Sequence, residues 1–487
     1  MYREHPLKIL KYSIKNIWLL IFPLLRGIWA MKLVRGIWAM KLDVDKLYTW
    51  LKGAWFDILF ILLIILFGCV KWLFSKIDVT ESAIIHTNGI VIKTKTVIPY
   101  ENISSITREH SFYLRCFKAV RFYADTCAGI LKTPDMVLLL NNKVCEKIIG
   151  TVPQAESESS VVYRHKPKSI IIIFFSVLFS SSFSGVIYIS AFFFQGGQIA
   201  KDLISESVDQ LTAEASKFLI INIPYAVLTI VIVIMGAWII SFIINMVRYS
   251  GFFIRRYEHI IEIESGNITP RRFLLCQNKI NYIYLKQNLL MKIFSVMSVN
   301  VNCSGYGTSK KKNLPVLLPV QTKGKFKENL KSATDIEYKT NRQYKPKITS
   351  FWQYIWASVI IAICIFPATR FLSFHNEQLH DAVIFITVMA EIPAVWYIII
   401  RFAALLTSGV TIDGNLIYLR YSRTFSFYTL IAEKDKLAKA AITQSPFQKI
   451  FKKCSVVFYF NSEITEGHVV KALKLKDAQK ILQLLMD

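Results

Sequence analysis

Three times along this chain a pair of long apolar stretches gives way to about 80 to 100 residues of short, alternating, strand-like sequence. An apolar run of ~20 residues suits the hydrocarbon core of a bilayer, whereas alternation with a period of two suits a strand with one buried face. The order of the two patterns predicts a membrane protein that carries three copies of one small β-rich module. Composition agrees: of 487 residues 53% are hydrophobic, with a mean hydropathy of +0.40, yet 59 are Lys or Arg. An ordinary soluble domain is less apolar, and a purely intramembrane one is less charged.

Six apolar runs, at 14–31, 56–74, 169–195, 218–247, 349–369 and 382–400, are expected to be transmembrane helices in three pairs. The segment between the second and third pairs, 248–350, holds 19 Lys+Arg against 6 Asp+Glu, a net of +13. The connection inside the second pair, 196–217, is acidic. A cytoplasmic excess of Lys and Arg is the usual mark of orientation, so both termini and all three modules are expected on the cytoplasmic side of the plasma membrane. The same topology accounts for the formal charge of +26 without nucleic acid. The connection inside the first pair departs from the pattern, being basic and carrying the octapeptide RGIWAMKL twice, at 26–33 and 35–42. The eight cysteines are scattered, with no C-x-x-C, which favours reduced thiols over a disulfide framework or a zinc site.

The modules resemble one another in detail. Asn88-Gly89 and Asp413-Gly414 each interrupt alternating residues, a hairpin signal. The spacing Q-x-x-x-x-K-I-F-x-x-x-S-V occurs at Gln287, Lys292-Ile293-Phe294 and Ser298-Val299, and again without a gap at Gln444, Lys449-Ile450-Phe451 and Ser455-Val456. His110, Arg115-Cys116-Phe117 and Arg121-Phe122 form a degenerate first copy. Each copy then runs into an apolar strand and a basic helical segment. Several short strands closed by one helix fit a small antiparallel sandwich or partly open barrel.

With His5-Pro6-Leu7 ahead of the first run, this pattern resembles the YdbT-like bacterial membrane proteins that carry repeated pleckstrin-homology-like (PH-like) domains. The resemblance spans nearly the whole chain. It implies an α+β multi-pass membrane protein in which each helix pair is followed by a small antiparallel PH-like domain with a C-terminal helix. The corresponding segments are 1–76, 166–248 and 349–406 for the N-terminal segment and helix pairs, and 77–165, 249–348 and 407–487 for the modules. It also implies a cell-envelope protein with no known enzymatic activity.

Nothing in the sequence supplies a reaction. Phosphate-binding, nucleophile-elbow, zinc-protease and dinucleotide motifs are absent, so no catalytic residue, metal or cofactor is expected. Two features stand out instead. Lys310, Lys311 and Lys312, with Arg255, Arg256, Arg271 and Arg272, make the second module the basic one, suited to anionic lipid headgroups at ~1 kcal/mol per cation. Glu391 lies midway along the run 382–400, two residues before Pro393; a carboxylate at that depth packs against another helix or serves an ion path. The leading expectation is a non-enzymatic scaffold or sensor whose modules meet the bilayer, a peptide, a partner protein or further copies of the chain. The alternative is a transporter or export accessory built around Glu391.

Overall fold

The structure is a computed structural model, and it describes residues 2–15, 44–90, 92–127, 134–151, 161–180, 236, 239–306, 316–375, 380–462 and 466–486. The stretches 16–43 and 181–235, with the duplicated octapeptide, lie outside the described residues, as do Lys310, Lys311 and Lys312. The chain divides into two units: Met1–Ser159 with Thr269–Arg272, and Ser160–Ile268 with Phe273–Asp487.

The first unit comprises β1 (Tyr2–Arg3), α1 (Lys8–Lys15), α2 (Val44–Leu73), β2 (Lys76–Val79), β3 (Ala83–Asn88), β4 (Thr94–Pro99), β5 (Ile103–Glu109), α3 (Phe112–Cys116), β6 (Ala119–Thr126), β7 (Met136–Asn141) and α4 (Asn142–Thr151). Strands β1 to β4 form one antiparallel meander, and β5, β6 and β7 pair in sequence. The hairpin between β3 and β4 needs glycine at position 89. Its φ is +116°, and a Cβ there would lie 1.9 Å from the Ile92 carbonyl oxygen. The alternating residues predicted for the core are buried: Ile84, Ile98, Phe122, Leu138 and Leu140.

The second unit comprises β8 (Tyr163–His165), α5 (Ser169–Ser180), β9 (Phe253–Arg256), β10 (Ile260–Ser265), β11 (Arg271–Cys276), β12 (Ile280–Asn288), α6 (Leu289–Ile293), β13 (Val296–Cys303), β14 (Val316–Thr322), α7 (Lys323–Thr334), α8 (Phe351–His375), α9 (His380–Thr407), β15 (Gly409–Asp413), β16 (Leu416–Arg423), β17 (Ser426–Glu433), β18 (Leu437–Thr443), α10 (Pro446–Ile450), β19 (Lys453–Phe460), β20 (Gly467–Lys474) and α11 (Leu475–Met486). Each module repeats one plan: three strands, a single 3-10 turn, a strand, a short helix, two strands and a closing helix. In the second module Ile254, Ile261, Ile263 and Leu275 pack with Ile283, Leu285, Val299 and Val301, and with Phe326 and Leu330 of α7. In the third, Val410, Ile417, Leu419 and Leu430 pack with Val456, Phe458 and Val470, and with Ala478 and Ile481 of α11. Each such side chain contributes roughly 1.5–3 kcal/mol by leaving water.

The two modules are joined through their backbones. Strand β12 pairs with β13 on one side and with β17 of the next module on the other, giving the sheet order β14-β13-β12-β17-β16-β15. Ile283 stands opposite Ile431, and Leu285 opposite Thr429. The cores interlock as well, since Tyr282 of the second module lies in the core of the third, and Tyr418 and Ile431 of the third in the core of the second.

The expectation of six transmembrane helices in three pairs is corrected. Among the described residues one helical segment, Ile348–Ala368, is long and apolar enough to cross a membrane. The apolar parts of the other long helices are shorter, at Ile58–Leu73, Ile239–Tyr249 and Pro393–Thr407. The described chain is also rich in antiparallel sheet.

Candidate functional site

The repeated Q-x-x-x-x-K-I-F spacing is the sequence of a turn that carries apolar side chains out of each module. In the third module Ser445 caps α10, accepting from the Gln448 amide at 3.2 Å, while Gln448 Oε1 accepts from the Ser445 amide at 3.2 Å. Such a reciprocal cap, with Pro446 opening the helix, lets a helix of five residues form. In the second module the Asn288 side chain caps α6, accepting from the Met291 amide at 2.7 Å.

Each short helix stops the same way. Lys118, Ser295 and Lys452 take positive φ, 54°, 54° and 50°. Their carbonyls then accept from the first amide of the module's closing helix: Asn142, Lys323 and Leu475, each at 3.2 Å. The motif glutamines brace the turn, with Gln287 Nε2 donating to the Val296 carbonyl and Gln444 Nε2 to the Lys453 carbonyl, both at 2.8 Å.

The result is a tip of large apolar side chains facing solvent. Phe112, Tyr113 and Phe117 in the first module, Ile293 and Phe294 in the second, and Phe447, Ile450 and Phe451 in the third are all between 53% and 73% exposed. Exposed Arg115 and Lys118 accompany the first tip, and exposed Lys449 and Lys452 the third. At the second tip Lys292 lies over the Phe427 ring at 4.1 Å, and burial, with Arg342 nearby, pushes its ammonium down to about 8.

In the second unit two tips stand at the foot of α8. Leu289, at the base of the second tip, packs with Tyr354, Ile355, Ile400, Ala404, Phe427 and Ala472. Lys453, at the base of the third, donates to Thr349 Oγ1 at 3.2 Å. Tyr354 Oη donates to the Lys471 carbonyl at 3.0 Å and Ser350 Oγ to that of Ala472 at 3.3 Å, fixing the helix to β20. Phe294 meets Phe174 of the apolar helix α5 edge-on at 6.0 Å. Trp352 and Trp356 are exposed on the first turns of α8. Lone apolar side chains on a surface need no explanation, but this set is contiguous with α8, the one described helix long and apolar enough to cross a membrane.

The residues singled out from sequence are placed differently. Arg255 lies over the Phe253 ring at 4.7 Å, with Glu262 at 3.7 Å and Glu264 at 3.9 Å. Arg256 is buried, donating to the Ser332 carbonyl at 2.9 Å and pairing with Asp335, whose carboxyl it holds below the usual range; it locks the end of α7. Arg271 donates to Glu109 at 3.0 Å within the first unit, where Arg272 also falls. Glu391 is half-buried in α9, two residues before Pro393. Arg255, Arg256 and Glu391 belong to the second unit and Arg271 and Arg272 to the first. The tips were missed because a solvated K-I-F reads like any amphipathic helix turn; the signal was the same apolar pair recurring where a loop is expected.

Two buried polar groups also escaped sequence reading. Glu4 accepts from Lys8 at 2.6 Å and from Ser75 Oγ at 2.7 Å, and Ser75 Oγ lies 3.1 Å from His86 Nε2. Burial and the Glu4 charge raise the Tyr12 hydroxyl to about 12. At the joint of modules two and three, Tyr421 Oη lies 2.7 Å from His468 Nδ1, with the Tyr282, Tyr428 and Phe460 rings packed around the pair. Among the described residues no group of three or more His, Cys, Asp or Glu could hold a metal ion.

A sandwich of three strands against three, closed by a helix and repeated along the chain, defines the class of protein: the chain belongs to the bacterial PH domain family, whose model matches residues 37–151, 217–334 and 352–487. It is also similar to the transmembrane protein YdbT of Bacillus subtilis (strain 168), at 23% identity over 407 residues, covering 78% of each chain. No solved structure matches significantly.

Proposed function

We propose that the chain is a non-enzymatic membrane scaffold whose bacterial PH modules are held against a bilayer by their apolar tips, with α8 and the α9 packed against it entering it as a hairpin. The observation that carries this reading is the placement of Phe294, Ile450 and Phe451 beside the foot of α8, where Trp352 and Trp356 supply the aromatic collar typical of a membrane interface. Each Phe or Ile leaving water adds up to roughly 1.5–3 kcal/mol, and each of Lys449 and Lys452 adds ~1 kcal/mol at an anionic surface. One tip binds weakly; several on one tethered chain act together. We assign Lys310, Lys311 and Lys312 to the same headgroup layer, and the excess of basic residues favours the cytoplasmic leaflet. The likeness to YdbT, a transmembrane protein by name, supports the membrane location.

The test is access of a membrane-impermeant maleimide to Ile450→Cys in the full chain. Labelling should be at least fivefold slower in lipid nanodiscs than after denaturation in detergent, whereas Gln483→Cys, exposed at the far end of α11, should label equally fast in both. Equal rates at the two positions in nanodiscs would refute the reading.

A further inference from the structure

The joint between the second and third modules has an unused counterpart at each end of the chain. Strand β12 is paired along both edges, to β13 and to β17. Aligning Gln287 with Gln444 makes β18 the equivalent of β12, with Ala440 at the place of Ile283 and Ile442 at that of Leu285. The backbones agree, for β12 shifts register between Ile280 and Tyr282 and β18 does so between the matching Leu437 and Lys439. Yet β18 is an edge strand in the order β18-β19-β20, and among the described residues no strand pairs with its outer side. Ile283 and Leu285 are buried, whereas Ala440 and Ile442 are only half-buried.

The other half of the joint is open in the first module. Counting back from the 3-10 turns, Tyr100–Asn102 and Lys434–Lys436, makes β4 the equivalent of β17, with Val97 at the place of Ile431. Strand β4 is the edge of its meander, and Val97 is 48% exposed where Ile431 is 1%. Pro99, which has no amide to donate, sits at the strand's last position, as suits an edge.

We infer that β18 receives β4 of a second copy of this chain, antiparallel, with Ala440 opposite Val97 and Ala441 opposite Thr96, reproducing between molecules the pairing of β12 with β17. Such a contact joins two different surfaces, so it propagates head to tail and closes into a ring or runs on as a filament. It goes beyond the membrane-docking reading and stands whether or not the tips enter a bilayer. Unprotected edges of this kind are the usual route of strand addition, and here the chain itself supplies the matching strand.

Two differently tagged full-length chains test it, both with the exposed Cys116, Cys127 and Cys364 changed to Ser, one carrying Ala441→Cys and the other Thr96→Cys. Directly opposed residues of antiparallel strands lie within disulfide range. Copper phenanthroline oxidation in native membranes should give a cross-tag disulfide dimer at least tenfold above that from Ala441→Cys with Lys76→Cys on β2. Ile442→Lys on the first chain should lower the yield severalfold. A yield no higher than the Lys76→Cys control would overturn the proposal, as would a single chain carrying both cysteines that forms only an internal disulfide.

Discussion

Gln444 donates through Nε2 to the backbone carbonyl of Lys453 at 2.8 Å, across the turn that projects Ile450 and Phe451. Gln287 does the same to Val296. The motif glutamine is thus a strut for the apolar tip beside it.

Replacing Gln444 by Ala removes one hydrogen bond and leaves a half-buried carbonyl short of a donor. The expected cost is about 1 kcal/mol in the third module. Hydrogen exchange should show it first at the β19 amides next to Lys453, with Gln444→Glu no better than Ala because a carboxylate cannot donate.

Much of the module was legible because alternation and the recurring spacing both report local structure. The hairpin at Asn88-Gly89 and the closing helices with Ile148, Phe326, Leu330 and Ile481 inside follow from short windows of sequence. The number of spans was not legible in the same way, since an apolar run fixes only that a helix could cross a bilayer and not that it does. The pairing of β12 with β17 was invisible for another reason: periodicity tells which face of a strand is buried and is silent on its edges. Arg256 misled because a buried arginine at a helix end and a headgroup ligand have the same sequence signature.

His468 supplies a pH dependence. Burial first, then Arg423, lowers its imidazole from 6.5 to about 4. The folded state therefore holds it neutral, and the unfolded state binds the proton more readily. Stability from this group is complete above about pH 6.5 and is lost as the pH falls toward 4, by about 2 to 3 kcal/mol in all. Denaturation of the detergent-solubilised chain, read by exchange of β19 and β20 amides, should show that slope, and His468→Leu should flatten it.

Glu4 lies with its side chain out of water against Lys8 at 2.6 Å. Glu4→Ala strands a buried ammonium and should destabilise the first unit by about 3 to 5 kcal/mol, whereas adding Lys8→Met to that variant should recover at least half. Urea titration followed by exchange at β2 and β7 measures both; a double variant no more stable than Glu4→Ala would show that packing, not charge, sets the cost.

The central claim concerns where the tips lie. Nitroxide labels at Phe117→Cys, Phe294→Cys and Phe451→Cys, one at a time in lipid nanodiscs, can be compared by power saturation with oxygen, which concentrates in the bilayer, and with a water-soluble nickel chelate. All three should favour oxygen, with a label at Gln483→Cys, at the far end of α11, favouring nickel. Labels at Phe294→Cys and Phe451→Cys that favour nickel as strongly as Gln483→Cys would contradict the docking of the tips.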